Sequence, residues 1–182
     1  MKLIMVRHGQ TELNKNSIVQ GRSNFPLNDR GIKDALDAAT RLLKYTNKID
    51  KIVSSPSIRA LQTVKLISGK FNYHEIIETD EHFYERDFGP YDGRLVRDVF
   101  PITNFLLGYE TDKEIQTRVI NGVWELYKRH QGKTVLVGCH SHTIKAVLTK
   151  ILPNEFQFSS FLANGAIVVF EVSDEIKYIE MI

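Results

Sequence analysis

Lys2-Leu3-Ile4-Met5-Val6-Arg7-His8-Gly9 is the stretch from which the rest of the chain can be read. A short apolar run breaks here at a cation, an imidazole and a glycine. A run of this length ending in a glycine-containing turn predicts a buried strand whose C-terminal end opens into a loop. In open α/β sheets ligands bind outside the carboxyl ends of the strands, so Arg7 and His8 stand where chemistry is expected. Gln10, Thr11, Asn14 and Gln20-Gly21 follow, and these polar groups are able to line a site for an anion.

Further along, Asn28 is placed to cap a helix with Ile32, Leu36, Ala39 and Leu43 on its apolar face. Residues 51–54 read as a second strand. Ser55-Pro56 follows as a helix start, with serine as cap and proline at the first helical position, and the helix runs to Gly69. Residues 74–77 read as a third strand. Residues 80–109 are irregular, punctuated by Gly89-Pro90, Asp92-Gly93 and Pro101, with a short helix near Leu95–Phe100. Thr111 and Glu114 form a capping-box pair for a helix that buries Ile115, Val119, Val123 and Leu126. A strand over 134–138, a helix over 141–152 and two strands over 166–172 and 177–181 complete the chain. The alternation predicts one α/β domain over 1–182, a three-layer sandwich with a mostly parallel central sheet and helices on both faces. The last two strands are joined by only a short connection, so they are expected to be antiparallel at one edge.

The 182 residues carry a formal charge of +2, with 42% hydrophobic and 25% charged residues. This is ordinary for a globular domain and gives no argument for a nucleic-acid partner. No apolar run approaches the ~18 residues that would span a membrane. The single cysteine, Cys139, excludes an internal disulfide, and a soluble cytoplasmic protein is expected. Oligomeric state is not legible.

Three strand ends supply candidates: the first yields Arg7 and His8, the second is followed closely by Arg59, and the strand from Thr134 yields His140. Each taken alone reads equally as a structural residue; their coincidence on one sheet edge is the functional signal. Arg59 sits near the positive end of its helix dipole, where a cation is unfavourable by ~0.3–1 kcal/mol. Two arginines with helix N-termini are what phosphate recognition uses. Glu85 lies between aromatics in His82-Phe83-Tyr84-Glu85-Arg86-Asp87-Phe88-Gly89. A glutamate in that setting is expected to be half buried, with a pKa raised enough for general acid work. The competing reading is an ion pair with Arg86 or Arg94.

These residues carry a resemblance. Leu3 to Thr11, with Arg7-His8-Gly9 at its centre, resembles the signature of the histidine phosphatase superfamily, the phosphoglycerate-mutase-like fold. Asn14 with Gln20-Gly21 resembles the phosphate loop of that family, Ser54 to Thr63 its second arginine motif, Glu85 to Gly89 its acid/base segment, and Val135 to His140 the strand with the second histidine. The resemblance implies a phosphatase-type member in which His8 forms a phosphohistidine, Glu85 is the general acid and base, and Arg7, Arg59 and His140 neutralise the transferring phosphoryl group. Asn14, Gln20, Gly21, Ser141 and His142 would bind the phosphate or substrate. It implies a small phosphate ester as partner and neither metal nor cofactor.

The chain departs from the family pattern at Ser141 and His142, where small residues are usual, at Asn24 in place of an acid, and at Lys145 in place of an arginine. His142 is expected either to face solvent and narrow the entrance, or to place a donor near the ester oxygen or a second anionic group of the substrate, with the effect strongest below pH ~6.5. Phosphoglycerate mutase-type transfer is the rival within the family. From other classes come a metal-dependent hydrolase using His140 and His142, and a phospho-ligand binding module without catalysis. Gly132-Lys133-Thr134 precedes a strand instead of following one, which argues against a nucleotide P-loop.

Overall fold

In a computed structural model, which describes residues 1–103 and 106–182, six strands form one sheet in the order β3-β2-β4-β1-β5-β6. The first strand, β1 (Lys2–Arg7), pairs in parallel with β4 (Thr134–Cys139), and β4 pairs in parallel with β2 (Lys51–Ser54). Strand β3 (Glu78–Thr79) adds a short parallel edge. At the other side β5 (Ile167–Val172) runs antiparallel to β1, and β6 (Ile176–Met181) antiparallel to β5. The antiparallel hairpin at one edge is as expected, since the three residues between Val172 and Ile176 cannot cross over the sheet.

Both faces of the central strands are buried, which is why β1 reads as a continuous apolar run. Leu3 and Met5 point into one core with Ile115, Val119, Val123 and Leu126, the face expected for the helix after Thr111. Ile4 and Val6 point the other way, into a core with Ala38, Ala39, Leu42, Val64 and Ile67. The helices supplying these layers are α2 (Asp29–Tyr45) and α3 (Ile58–Lys70) on one face, and α5 (Asp112–Arg129) and α6 (Ser141–Ile151) on the other. Two short helices, α1 (Glu12–Lys15) and α4 (Val96–Val99), sit in the loops above the strand ends. The described residues of 80–109 hold α4 and two 3-10 turns, and Asn104 and Phe105 of that segment lie outside the described residues.

Three local expectations need correction. Helix α2 buries Gly31, Asp34, Ala35, Ala38, Ala39 and Leu42, while Ile32 and Leu43 stay exposed. Small side chains face inward because the helix lies against the loop after β1: a Cβ on Gly31 would stand 2.1 Å from the Gln10 carbonyl oxygen. Helix α3 starts two residues later than Ser55-Pro56 suggests, with Ser57 at its N-cap. The Ser55 hydroxyl is engaged elsewhere, as described below. Residues 74–77 form no strand, and Ile76 is exposed. The chain leaves α3 through a turn with Asn72 at φ 49° and reaches the sheet only at Glu78.

Candidate active site

The carboxyl ends of β1, β2 and β4 lie side by side, and their loops bring His8, Arg59 and His140 together. The register pairs Arg7 with Cys139, and the His8 amide donates to the Cys139 carbonyl at 3.0 Å, so the two histidines follow adjacent parallel strands. Their ring centroids are 5.2 Å apart. Both rings are almost wholly removed from solvent.

His8 Nδ1 lies 2.7 Å from the Gly9 carbonyl oxygen, which can only accept, so Nδ1 carries the proton. The other nitrogen, Nε2, accepts from Arg59 Nε at 3.2 Å. The basic nitrogen is therefore the one turned toward Arg59. Burial, then the charges of Arg59 and Arg7, hold the His8 pKa well below the ordinary imidazole value and keep the ring neutral. His140 is depressed in the same way by burial and by Arg59. Its Nε2 shares a 2.8 Å hydrogen bond with the Ser55 hydroxyl, and Nδ1 has no partner among the described residues.

Arg59, the second residue of α3, is fully buried. Its Nη1 and Nη2 donate to the carbonyls of Ser23 and Gly21, each at 2.8 Å. Burial lowers its pKa to about 10, which leaves it charged at neutral pH. Asn24 accepts from the Ile58 amide at 2.8 Å and so occupies the start of α3, where the carboxylate of the family pattern would add a charge. Arg7 donates through Nη1 to the Leu162 carbonyl and has a buried Nε without a partner among the described residues. Burial lowers its pKa as well, against the opposing pull of Glu85 and Asp34.

Glu85 is only 5% exposed, deeper than the half burial expected. Its Oε1 accepts from the Arg86 amide at 2.8 Å and from the His142 amide at 3.1 Å, the second residue of α6. The carboxylate thus sits on the N-terminus of the helix that His140 opens, where free amides point outward. The ion pair with Arg86 or Arg94 does not account for it. The Arg86 side chain turns to Asp112 at 2.6 Å and to the Tyr109 hydroxyl, and Arg94 stacks on Tyr91.

The remaining expected residues divide. Asn14 Oδ1 accepts from the Thr11 amide and from Asn164 Nδ2. Gln20 Oε1 accepts from the Thr11 hydroxyl at 2.7 Å, and Gly21 holds Arg59. Ser141 is the first residue of α6 and only partly buried. The His142 ring does not face solvent. It is buried among Phe88, Phe158 and Phe100, at centroid distances of 5.2, 5.3 and 6.5 Å. Burial, with Arg86 and Lys145 nearby, pushes its pKa well below 6.5, so it gains no charge just below that pH. His140 faces Ser55 and His8 while His142 faces the phenyl rings, because the chain turns helical between them. The alternating arrangement assumed for a shared metal does not form.

Sequence reasoning missed four supports of the site. Ser55 orients His140, and Thr63 accepts the Gly9 amide at 3.1 Å. Asn164 donates to the His8 carbonyl at 3.0 Å. Asp92 accepts from the Gly21 and Ser23 amides at 3.1 and 2.9 Å. Ser55 and Thr63 lie in the stretch that resembles the second arginine motif and Asp92-Gly93 reads as a turn, but neither signal says what the side chains reach.

Comparison with known proteins agrees with this geometry. The family model of the histidine phosphatase superfamily (branch 1) matches residues 3–182. An uncharacterized phosphatase, PhoE, of Bacillus subtilis (strain 168) is 30% identical over 94% of this chain and 88% of its own length. A metal-independent phosphoserine phosphatase of Arabidopsis thaliana is 26% identical over 96% of this chain and 77% of its own. The crystal structure of a phosphoserine phosphatase mutant from Entamoeba histolytica, in complex with phosphoserine, superposes with a TM-score of 0.83. It is 24% identical and covers 99% of this chain and 95% of that one.

Proposed function

Because the chain belongs to the histidine phosphatase superfamily, we propose that it hydrolyses small phosphate monoesters through a phosphohistidine on His8. The observation that carries this is the fixed tautomer of His8: Nδ1–H is held by the Gly9 carbonyl, which leaves Nε2 as a neutral nucleophile beside Arg59. An incoming phosphoryl group takes over the Arg59 Nε–H, and the Nε2 lone pair turns to phosphorus. The N–P bond forms as the ester P–O bond breaks. Arg7, Arg59 and the partnerless Nδ1 of His140 stabilise the equatorial oxygens, with Asn14 at the rim. Glu85 gives its proton to the leaving oxygen. It then accepts one from the water that cleaves the N–P bond and releases inorganic phosphate.

None of these steps asks for a metal or a cofactor; the charge is met by guanidinium and imidazole groups. Residues 1–182 act as one domain, and the segment 80–109 covers the substrate. The protein works in the cytoplasm on a phosphorylated metabolite; phosphoserine, for which relatives are named, is the first ester to assay. Rapid quench with ³²P-labelled substrate should trap an acid-labile, base-stable protein phosphate that is lost in His8→Ala, and turnover should survive dialysis against chelator. Full activity of His8→Ala would overturn the reading, as would activity restored only by a divalent ion. Phosphate passed to an added alcohol in preference to water would favour transfer.

A further inference from the structure

The segment that carries Glu85 has little regular structure of its own, yet a general acid has to be held to a fraction of an ångström. Between Phe83 and Phe88 no strand or helix fixes the backbone. One side of the segment is tied to α6: Glu85 to the His142 amide, and the Tyr84 carbonyl to the Thr143 hydroxyl at 2.9 Å. The other side is tied to α5 by a pair of side chains that the reaction itself does not use.

Arg118, in the second turn of α5, makes a bidentate pair with Glu110, Nε to Oε1 at 2.7 Å and Nη2 to Oε2 at 2.8 Å. Its Nη1 then donates to the carbonyls of His82 at 2.8 Å and Tyr84 at 3.1 Å, just before Glu85. Glu110 completes the grip beyond Glu85. Its Oε2 accepts the Asp87 amide at 3.0 Å, and its own amide donates to the Asp87 carbonyl at 2.8 Å. Both side chains are largely buried, with 19% and 12% of their surface exposed, so water competes poorly for these bonds. A planar guanidinium is required: one ammonium cannot serve two carboxylate oxygens and two carbonyls in fixed directions.

We propose that Arg118, braced by Glu110, is a positioning residue that sets the Glu85 carboxylate for proton transfer to the leaving group. This rests on the reading of Glu85 as general acid given above. The clamp acts on the backbone either side of Glu85, and α6 supplies the opposing contact; losing one jaw lets the carboxylate drift from its line to the leaving oxygen.

The test compares Arg118→Ala, Arg118→Lys and Glu85→Gln in the full-length chain, on an alkyl phosphate and on nitrophenyl phosphate, whose leaving group needs no proton. Both Arg118 variants are expected to lose about 10- to 100-fold in kcat on the alkyl ester, the scale of a misplaced catalytic group. KM on that ester and kcat on nitrophenyl phosphate should change by less than about threefold. Hydrogen exchange gives a readout free of activity. The Arg86 and His142 amides, both bonded to Glu85, should exchange at least about tenfold faster, while the β1 and β4 amides keep their protection. Unchanged exchange at Arg86 and His142 would overturn the clamp, and so would full rescue by lysine or equal loss of kcat on the two esters with Glu85→Gln still selective. Equal losses in Glu85→Gln itself would instead overturn Glu85 as the acid, and the exchange result then decides the clamp alone.

Discussion

Glu85 shows how much one residue's role depends on its neighbours. As a side chain in an aromatic loop it was ambiguous between an ion pair and an acid. Seated on the Arg86 and His142 amides it has no cationic side chain as hydrogen-bond partner among the described residues, and Arg86 is committed to Asp112. Glu85→Gln keeps the shape and removes the proton. It should therefore lose about 10²- to 10⁴-fold in kcat on alkyl phosphates, the range for a general acid, and much less on nitrophenyl phosphate. Steady-state kinetics on the two esters checks this; equal losses would exclude the role. His142 carries the opposite lesson. Its contribution to Glu85 comes from its backbone amide, which any residue but proline supplies, and its ring is a wall of the aromatic cluster.

Among the elements, α2 places the His8 loop by coming close to it. Gly9 and Gly31 face each other, with a Cβ on Gly9 at 2.1 Å from the Gly31 carbonyl oxygen, and Asp34 accepts the Gln10 amide at 3.0 Å. Gly31→Ala must push the helix and the loop apart. It should cost about 1–3 kcal/mol in stability, as overpacking does, and lower activity through the displaced His8. Gly69→Ala is the control, since a Cβ there meets nothing within 4 Å. That change in α3 should stabilise by ~0.5–1 kcal/mol by restricting the unfolded chain. Urea denaturation of both variants measures the difference, and equal stabilities would contradict the close-approach account. The mistaken face for α2 has the same origin. Apolarity chose Ile32 and Leu43, but the close approach to the loop selected small residues.

For the whole molecule, closing the sheet and helices over the strand ends removes three imidazoles from water at once. His8, His140 and His142 all have pKa values held well below 6.5, with burial the first cause in each case. The sign follows from linkage. Below the unfolded-state pKa the unfolded chain takes up protons that these folded rings refuse, so stability present above pH ~6.5 is lost as the pH falls. One unit below that pH the loss is up to about 1.4 kcal/mol for each excluded imidazole. Denaturation at pH 7 and 5.5 should show it, and His142→Phe should flatten the dependence by one imidazole's share. A variant with the full wild-type pH dependence would show that His142 is not excluded from protonation. Among the described residues no helix is long and apolar enough to cross a membrane.

Local chemistry in the sequence was enough for the periodicity of most elements, the Thr111–Glu114 capping box, the antiparallel last hairpin and the convergence of His8, Arg59 and His140 on one sheet edge. Those are read from patterns a few residues long, and the chain order records such patterns. Three things required the tertiary structure. The acceptor role of His8 Nε2 depends on Arg59, 51 residues away in sequence. The seat of Glu85 depends on a helix that begins 56 residues later, and its clamp on Arg118. The neutrality of His142 depends on the rings of Phe88, Phe100 and Phe158, none of them near it in sequence. Burial and hydrogen-bond geometry are properties of packed surfaces, and composition and spacing carry no record of which surfaces will meet.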